Sequence, residues 1–282
     1  MRQEVLRQRR VLLAQTLLIF ALMLSVLLVS GLQVIGALGL AVLLGMTTFV
    51  MVQTQRRVSE IRPQNALPLS RNQAPGLYRT LTELSRRAGV PRVPEVHLLR
   101  ARMMNAATLG SREHPVLVVT PSLLEGLSPR ELTAVLAHEI AHLRNNDLIS
   151  YRLAEAISLI TVVISRVGWM LLILYLPVLL TAAVRIPLGL ILLLLGAPLI
   201  SVGLQMTLSR SREFAADLGA VELTGDPAAL ARALQKIDRI GRSALHQVLP
   251  VPSRRESSVF RSHPAIEERV RRLEALAATR EQ

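Results

Sequence analysis

The 282-residue sequence contains no cysteine, which excludes both a disulfide framework and any thiolate-bound metal, so a metal in this chain must rely on histidine and carboxylate ligands. Aromatic residues are scarce, at 3%. No basic stripe interleaved with aromatics occurs, and the formal net charge of +13 therefore does not point to a nucleic-acid partner. Charge itself is thin against apolar residues, 19% to 51%, a balance too apolar for a soluble domain of this length.

Four apolar runs account for that balance: Val11–Val29, Val34–Val52, Ile157–Val184 and Ile186–Leu208. Each is near the ~20 residues that cross a bilayer as a helix. The basic residues gather at their ends, with Arg7, Arg9 and Arg10 before the first, Arg56 and Arg57 after the second, and Arg210 and Arg212 after the fourth. By contrast, the turn Ser30–Gln33 carries no charge and only Arg185 interrupts the third and fourth runs. Positive flanks stay in the cytoplasm, so both hairpins are expected to hang from the cytoplasmic face of the cell's inner membrane. Basic residues precede the first run as they would in a signal peptide. That run is long for a signal, however, a second span follows at once, and Ser30-Gly31 offers no small-x-small cleavage site, so a retained hairpin is expected. Arg166 and Glu155, at the start of the third run, are expected at the membrane interface, because a charge within hydrocarbon is costly.

The remainder reads as an aqueous domain. Leu77, Leu81 and Leu84 recur at helical spacing over Ala74–Ala88, and Gly89 marks the stop. Val96–Leu99 and Val116–Thr120 are candidate strands, with a loop Met104–Gly110 between them. Ser128-Pro129-Arg130-Glu131 has the form of a capping box with proline at the first helical position. The helix it opens carries Leu132, Val135, Leu136, Ile140 and Leu143 on one core-facing stripe. A last helix is expected over Ile266–Leu276. The fold class is thus mostly α: four transmembrane helices in two hairpins and a cytoplasmic α+β domain with a small sheet. The expected divisions are 1–55 (first hairpin), 56–156 (cytoplasmic segment), 157–208 (second hairpin) and 209–282 (cytoplasmic segment with the terminal helices).

On the capped helix lies His138-Glu139-Ile140-Ala141-His142. Residues four apart face one way, about 6 Å along the axis, so both imidazoles can reach one ion while Glu139 is placed to reach its open position. This is the metallopeptidase spacing. A catalytic zinc site takes three protein ligands and leaves the fourth position to water. The acidic candidates downstream are Asp147, Glu155, Glu213, Asp217, Glu222 and Asp226. Asp147 is close in the chain to His142, and Glu155 heads towards the membrane. Glu213 lies beyond two crossings, which return the chain to the face it left. Glu213 and Asp217 are helical neighbours at i,i+4, so one can bind metal while the other orients a histidine.

These residues resemble the HtpX-like family of membrane zinc endopeptidases, more distantly related to type I CAAX prenyl proteases. The resemblance rests on the paired amino-terminal spans, His138-Glu139-x-x-His142 followed by Asp147, the second hairpin, Arg212-Glu213-Phe214-x-Ala216-Asp217, and Ser262-His263-Pro264. It implies a zincin-like domain of the gluzincin type, one zinc ion per chain held by His138, His142 and Glu213, Glu139 as catalytic base, and Asp147 and Asp217 as supporting residues. The family's Asn-Ala-Phe-Ala loop appears here as Asn105-Ala106-Ala107-Thr108-Leu109, without the aromatic, and Asn105 and Ala106 are its candidates for substrate binding. His263 is similar to a family histidine near the active site; it either stabilises an oxyanion or shapes the turn before the last helix. His97, His114 and His246 have no ligand spacing. The activity implied is hydrolysis of polypeptides, membrane proteins among them, by metal-activated water, in a stress response and quality control of damaged proteins. An extended substrate is expected to add to a strand edge near Val116–Thr120. The alternatives are a zinc-stapled scaffold without catalysis and a CAAX-type peptidase.

Overall fold

The computed structural model describes residues 5–8, 10–22, 24–25, 28–29, 66–101, 103–174, 176, 188–247 and 266–279, which are helical apart from four short strands and their connections. In chain order these elements are β1 (Ala66–Leu69), α1 (Pro75–Ala88), β2 (Glu95–Leu99), β3 (Ala106–Gly110), β4 (Pro115–Val119), α2 (Pro121–Gly126), α3 (Pro129–Asn145), α4 (Asp147–Leu174), α5 (Leu188–Thr224), α6 (Pro227–Gln247) and α7 (Ile266–Ala278). An amino-terminal helical stretch precedes β1. The chain divides into two units. One comprises Met1–Leu12, Arg57–Leu148 and Ser209–Gln282, the other Leu13–Arg56 and Ile149–Leu208.

In the first unit the local rules operate as read. Ser128 accepts a bond from the Glu131 amide while the Glu131 carboxylate accepts from the Ser128 amide at 2.9 Å, so the capping box closes and α3 starts at Pro129. Gly89, in the left-handed region at φ 66°, ends α1. The α3 stripe is buried in a core shared with α1, the sheet, α5, α6 and α7; Leu81, Leu117, Leu136, Ile140, Leu230 and Leu273 are sealed from solvent there. Each such side chain contributes roughly 1.5–3 kcal/mol by leaving water. That is ample to hold α3 against the sheet.

The sheet has the order β1-β2-β4-β3, with β2 and β4 parallel and the outer pairs antiparallel. Two expectations are corrected here. Residues 106–110, read as loop, form β3, because Ala106 to Gly110 pair in register with Val119 to Pro115. The turn between them needs Gly110, whose φ of +83° and close approach to the His114 carbonyl leave no room for a side chain. Consequently β4 is interior, and among the described residues the free edge expected near Val116–Thr120 belongs to β3. The misreading has a physical source: Ala-Ala-Thr-Leu-Gly carries too little apolar alternation to announce a strand, and its partner strand supplies the order.

The second unit is built on apolar helix. Ile19, Ile157, Ile164 and Leu208 pack together, and the hydroxyls of Ser158 and Ser201 meet at 2.8 Å between α4 and α5, which is how polar groups join helices where water is absent. Outward-facing Met170, Ile173 and Leu199 are 61%, 67% and 74% exposed, an apolar outer surface unsuited to water. Among the described residues, two stretches, Asp147–Met170 and Ile191–Thr224, are long and apolar enough to cross a membrane. The third expected span starts later than its helix, since α4 begins at Asp147 and runs without a break past Ile157. The fourth likewise continues as helix beyond Leu208 to Thr224. The expected span Val34–Val52 lies outside the described residues, and Val11–Val29 is helical where described.

Candidate metal centre

Three short-range devices bring the centre together within the first unit. Helix geometry places His138 and His142 on one face of α3, with their rings 4.6 Å apart and perpendicular. At the end of α3, Asn146 adopts the left-handed conformation at φ 55°, the one non-glycine residue among those described with positive φ. This sharp turn sends Asp147 back beneath His142. The third device is Gly219 on α5. A Cβ there would stand 2.7 Å from the Cβ of Ala141, so only glycine lets α5 lie this close to the histidine-bearing turn of α3. Asp217 and Glu213, two and six residues earlier on α5, are thereby presented to the histidines.

The Nε2 atoms of His138 and His142 face each other at 3.1 Å. Glu213 Oε2 lies 3.5 Å from His138 Nε2 and Glu213 Oε1 3.6 Å from His142 Nε2. On the opposite side of each ring, His142 Nδ1 is 2.6 Å from Asp147 Oδ2 and His138 Nδ1 is 3.0 Å from Asp217 Oδ1. A carboxylate beside Nδ1 fixes the proton on that nitrogen and turns the Nε2 lone pair outward. Two lone pairs then point at one another beside a carboxylate, an arrangement that calls for a cation.

The donor set fits zinc. Two ligand atoms bound at ~2.05 Å with a tetrahedral angle between them stand about 3.3 Å apart; here the two Nε2 atoms are 3.1 Å apart, and each has one oxygen of Glu213 at 3.5 or 3.6 Å, Oε2 for His138 and Oε1 for His142. Charge balance agrees. Counted as ionised, Glu139, Asp147, Glu213 and Asp217 supply four negative charges and Arg212 and Arg269 two positive ones, all six side chains being buried; the remainder of two matches a divalent ion. Among the described residues, His138, His142 and Glu213 form the one group of metal-capable side chains of this kind.

The protonation of the pair reflects the same layout. Burial pushes His138 down, but Asp217 and Glu213 outweigh it and hold the ring up at about 9. His142 is pushed down by burial and by the neighbouring His138 charge.

Glu139 is buried beside the histidines, and Thr108 Oγ1 on the edge strand β3 donates to its Oε2 at 2.9 Å. Asn105 and Ala106 stand at the start of β3. The Asn105 amide donates to Thr120 Oγ1, and it is Thr108, two residues beyond Ala106, that touches Glu139. His263 lies outside the described residues. The sequence reading missed Arg212, Arg269 and Thr108. Arg212 donates to Asp147. Arg269 grips Asp217 through two bonds of 2.7 and 2.6 Å and reaches Glu213 Oε2 at 3.0 Å. One signal was present for Arg269: it occupies the same helical stripe as Leu273 and Leu276, where an arginine has no place unless a buried acid awaits it.

The chain is similar to known proteins along most of its length. Residues 71–277 match the family described as Peptidase family M48. The chain is 35% identical over 226 residues to the Protease HtpX homolog of Nostoc punctiforme, covering 73% of this chain and 74% of that protein. It is 32% identical over 287 aligned residues to the Protease HtpX homolog of Paraburkholderia phytofirmans, covering 94% and 97%. Among solved structures, Ste24p of S. mikatae superposes with a TM-score of 0.51 over 90% of this chain at 19% identity. The chain spans 62% of the length of Ste24p, and this likeness is one of fold.

Proposed function

This chain belongs to peptidase family M48, and on that premise we propose that it is a membrane-embedded zinc endopeptidase. The observation that carries the reading is the convergence of the two Nε2 atoms with the Glu213 carboxylate, each imidazole being held from behind by its own aspartate. In this reading His138, His142 and Glu213 hold one zinc ion and Asp147 and Asp217 orient the histidines. Zinc bound there would supply Lewis acidity, polarising a peptide carbonyl and lowering the pKa of water towards neutrality.

The chain's own residues perform the rest. Glu139 accepts the proton of the attacking water on its carboxylate and passes it to the departing amine, so hydrolysis needs no covalent enzyme intermediate. The Thr108 hydroxyl holds that carboxylate still between the two transfers. The free edge of β3 offers backbone donors and acceptors to an extended substrate, giving affinity with little demand on sequence. That suits an endopeptidase acting on many unfolded chains. In this reading the apolar runs of the sequence hold the enzyme in the inner membrane, and the arginines that flank them favour a metal centre on the cytoplasmic side. Substrates are polypeptides, chiefly damaged or misassembled membrane proteins, and the role is quality control. Nothing in the charge pattern calls for nucleic acid. A zinc-stapled scaffold would close the fourth position with a protein ligand, whereas the fourth acidic side chain near the histidines, Glu139, is held by Thr108 instead.

The test uses the full chain in detergent. Wild-type protein should contain one zinc per chain and cleave casein, losing both with a strong chelator and regaining both with zinc. Glu139→Gln should keep its zinc and lose cleavage. Equal cleavage by the two forms would refute Glu139 as the base, and a zinc-loaded wild type that cleaves nothing would favour the scaffold.

A further inference from the structure

The buried groups behind the two histidines form two matching triplets. In one, His142 Nδ1 faces Asp147, whose second oxygen accepts from Arg212. In the other, His138 Nδ1 faces Asp217, whose oxygens accept from Arg269 Nε at 2.7 Å and Nη2 at 2.6 Å. Arg212 directly precedes Glu213 on α5, so its triplet is completed by elements joined through the core of the unit. Arg269 comes instead from the carboxy-terminal helix α7, 52 residues from Asp217 in the chain.

Arg269 also reaches beyond its own aspartate. Its remaining nitrogen, Nη1, lies 3.0 Å from Glu213 Oε2, and Nη2 stands 3.5 Å from His138 Nε2. A guanidinium so close to a metal-binding nitrogen would repel a divalent ion, so attraction to the ion cannot explain its position. The acids can. Glu213 and Asp217 are like-charged neighbours at i,i+4, a mutually destabilising pair on any helix, and both are buried and turned towards the same histidine. Without an intervening cation one of them would have to turn away or take up a proton, and either change dismantles the site. The planar fork of arginine meets both carboxylates at once, which an ammonium cannot. With the side chain 2% exposed, its charge has no solvent to fall back on.

We infer that Arg269 is a positioning residue that completes the metal centre from α7, so that metal binding and docking of the carboxy-terminal helix are coupled. The inference rests on reading His138, His142 and Glu213 as the metal ligands. Coupling between two such events is reciprocal. A metal that binds more tightly when α7 is seated must also hold α7 in its seat, where Val270 and Leu273 enter the core.

The experiment uses the full chain in detergent, stripped of metal and titrated with zinc against a chromophoric chelator. In parallel, visible spectra are recorded with cobalt(II), and hydrogen exchange of the α7 amides is followed with and without zinc. Loss of a group that orients a metal ligand typically costs 10- to 100-fold in affinity; Arg269→Gln should weaken zinc by about that factor and alter the cobalt spectrum, and Arg269→Lys should recover only part of the loss. In the wild type, zinc should slow exchange along α7. Wild-type zinc affinity and an unchanged cobalt spectrum in Arg269→Gln would overturn the inference, as would α7 amides that exchange equally with and without zinc. Should Arg269→Gln fail to fold, the wild-type exchange comparison decides alone. A wild-type protein that binds no zinc overturns the ligand assignment itself, and this shows before any variant is compared.

Discussion

Gly219 offers a way to move the proposed metal ligands without touching one. A Cβ at this position would lie 2.7 Å from Ala141 Cβ and 2.8 Å from Arg144 Nη2. The arginine end can swing aside, but Ala141 is fixed in α3 between the two histidines. Ordinary contact between methyl groups needs about 3.7 Å, so Gly219→Ala must part α5 from α3 by roughly 1 Å at this crossing. Metal–ligand bonds tolerate deviations of about 0.2 Å. A shift several times larger would carry Glu213 away from the histidines it now approaches at 3.5 and 3.6 Å. Stability should change less than affinity, since overpacking costs ~1–3 kcal/mol while alanine returns about 1 kcal/mol of helix propensity. Zinc affinity of Gly219→Ala should therefore fall at least about tenfold while the protein still folds and its helical content stays. Gly203, in the same helix but with open space around it, provides the control: Gly203→Ala should bind zinc as the wild type does. Wild-type affinity in Gly219→Ala would refute the claim that close approach of α5 to α3 builds the site.

Three further outcomes are expected. Thr108→Val removes the hydroxyl that bonds Glu139 at 2.9 Å while keeping the strand. Zinc content should stay at the wild-type level and kcat fall by roughly tenfold, the worth of one hydrogen bond to a charged group at about 1.5 kcal/mol; unchanged kcat would remove Thr108 from the machinery. At the start of α3, burial opposes ionisation of Glu131, but Lys236 at 2.7 Å and the Ser128 bonds outweigh it and hold the carboxyl below its ordinary value. Its contribution to stability is therefore present above the unfolded value of about 4.5 and lost as pH falls through the lower folded value. Glu131→Gln should melt below the wild type at pH 7, and the two curves should converge in acid; a constant gap across pH would contradict the sign. Ser128→Ala should cost ~1 kcal/mol at neutral pH in the same assay.

Local rules made much of this chain legible. The capping box, the α1 stop at Gly89 and the α3 stripe all follow from residues within a few positions of one another, and each stands where periodicity placed it. Glu213 was reachable by a topological argument, because two crossings must return the chain to its starting side. The closeness of Asp147 to His142 in the chain argues against its becoming a ligand. Asp147 does wrap back, through the left-handed turn at Asn146, but onto Nδ1 and not onto the metal-facing nitrogen. Strand β3 was illegible for the opposite reason, since its order comes from β4 and not from its own five residues.

The same contrast explains why Arg269 stayed hidden while Asp217 did not. Asp217 shares a helix with Glu213, and the i,i+4 spacing announces that the two face one partner. Nothing local announces what will neutralise them. Each acid taken singly could have been a solvated surface group, and each arginine of this arginine-rich chain could have been a membrane-flanking charge. Only the fold reveals that two acids of one helix are buried together, and burial turns an ordinary i,i+4 repulsion into a demand for a cation of forked geometry. That demand could in principle be read backwards. An arginine on the apolar stripe of an amphipathic helix, as Arg269 is with Leu273 and Leu276, implies a buried carboxylate elsewhere, and here Arg269 meets two, Glu213 and Asp217.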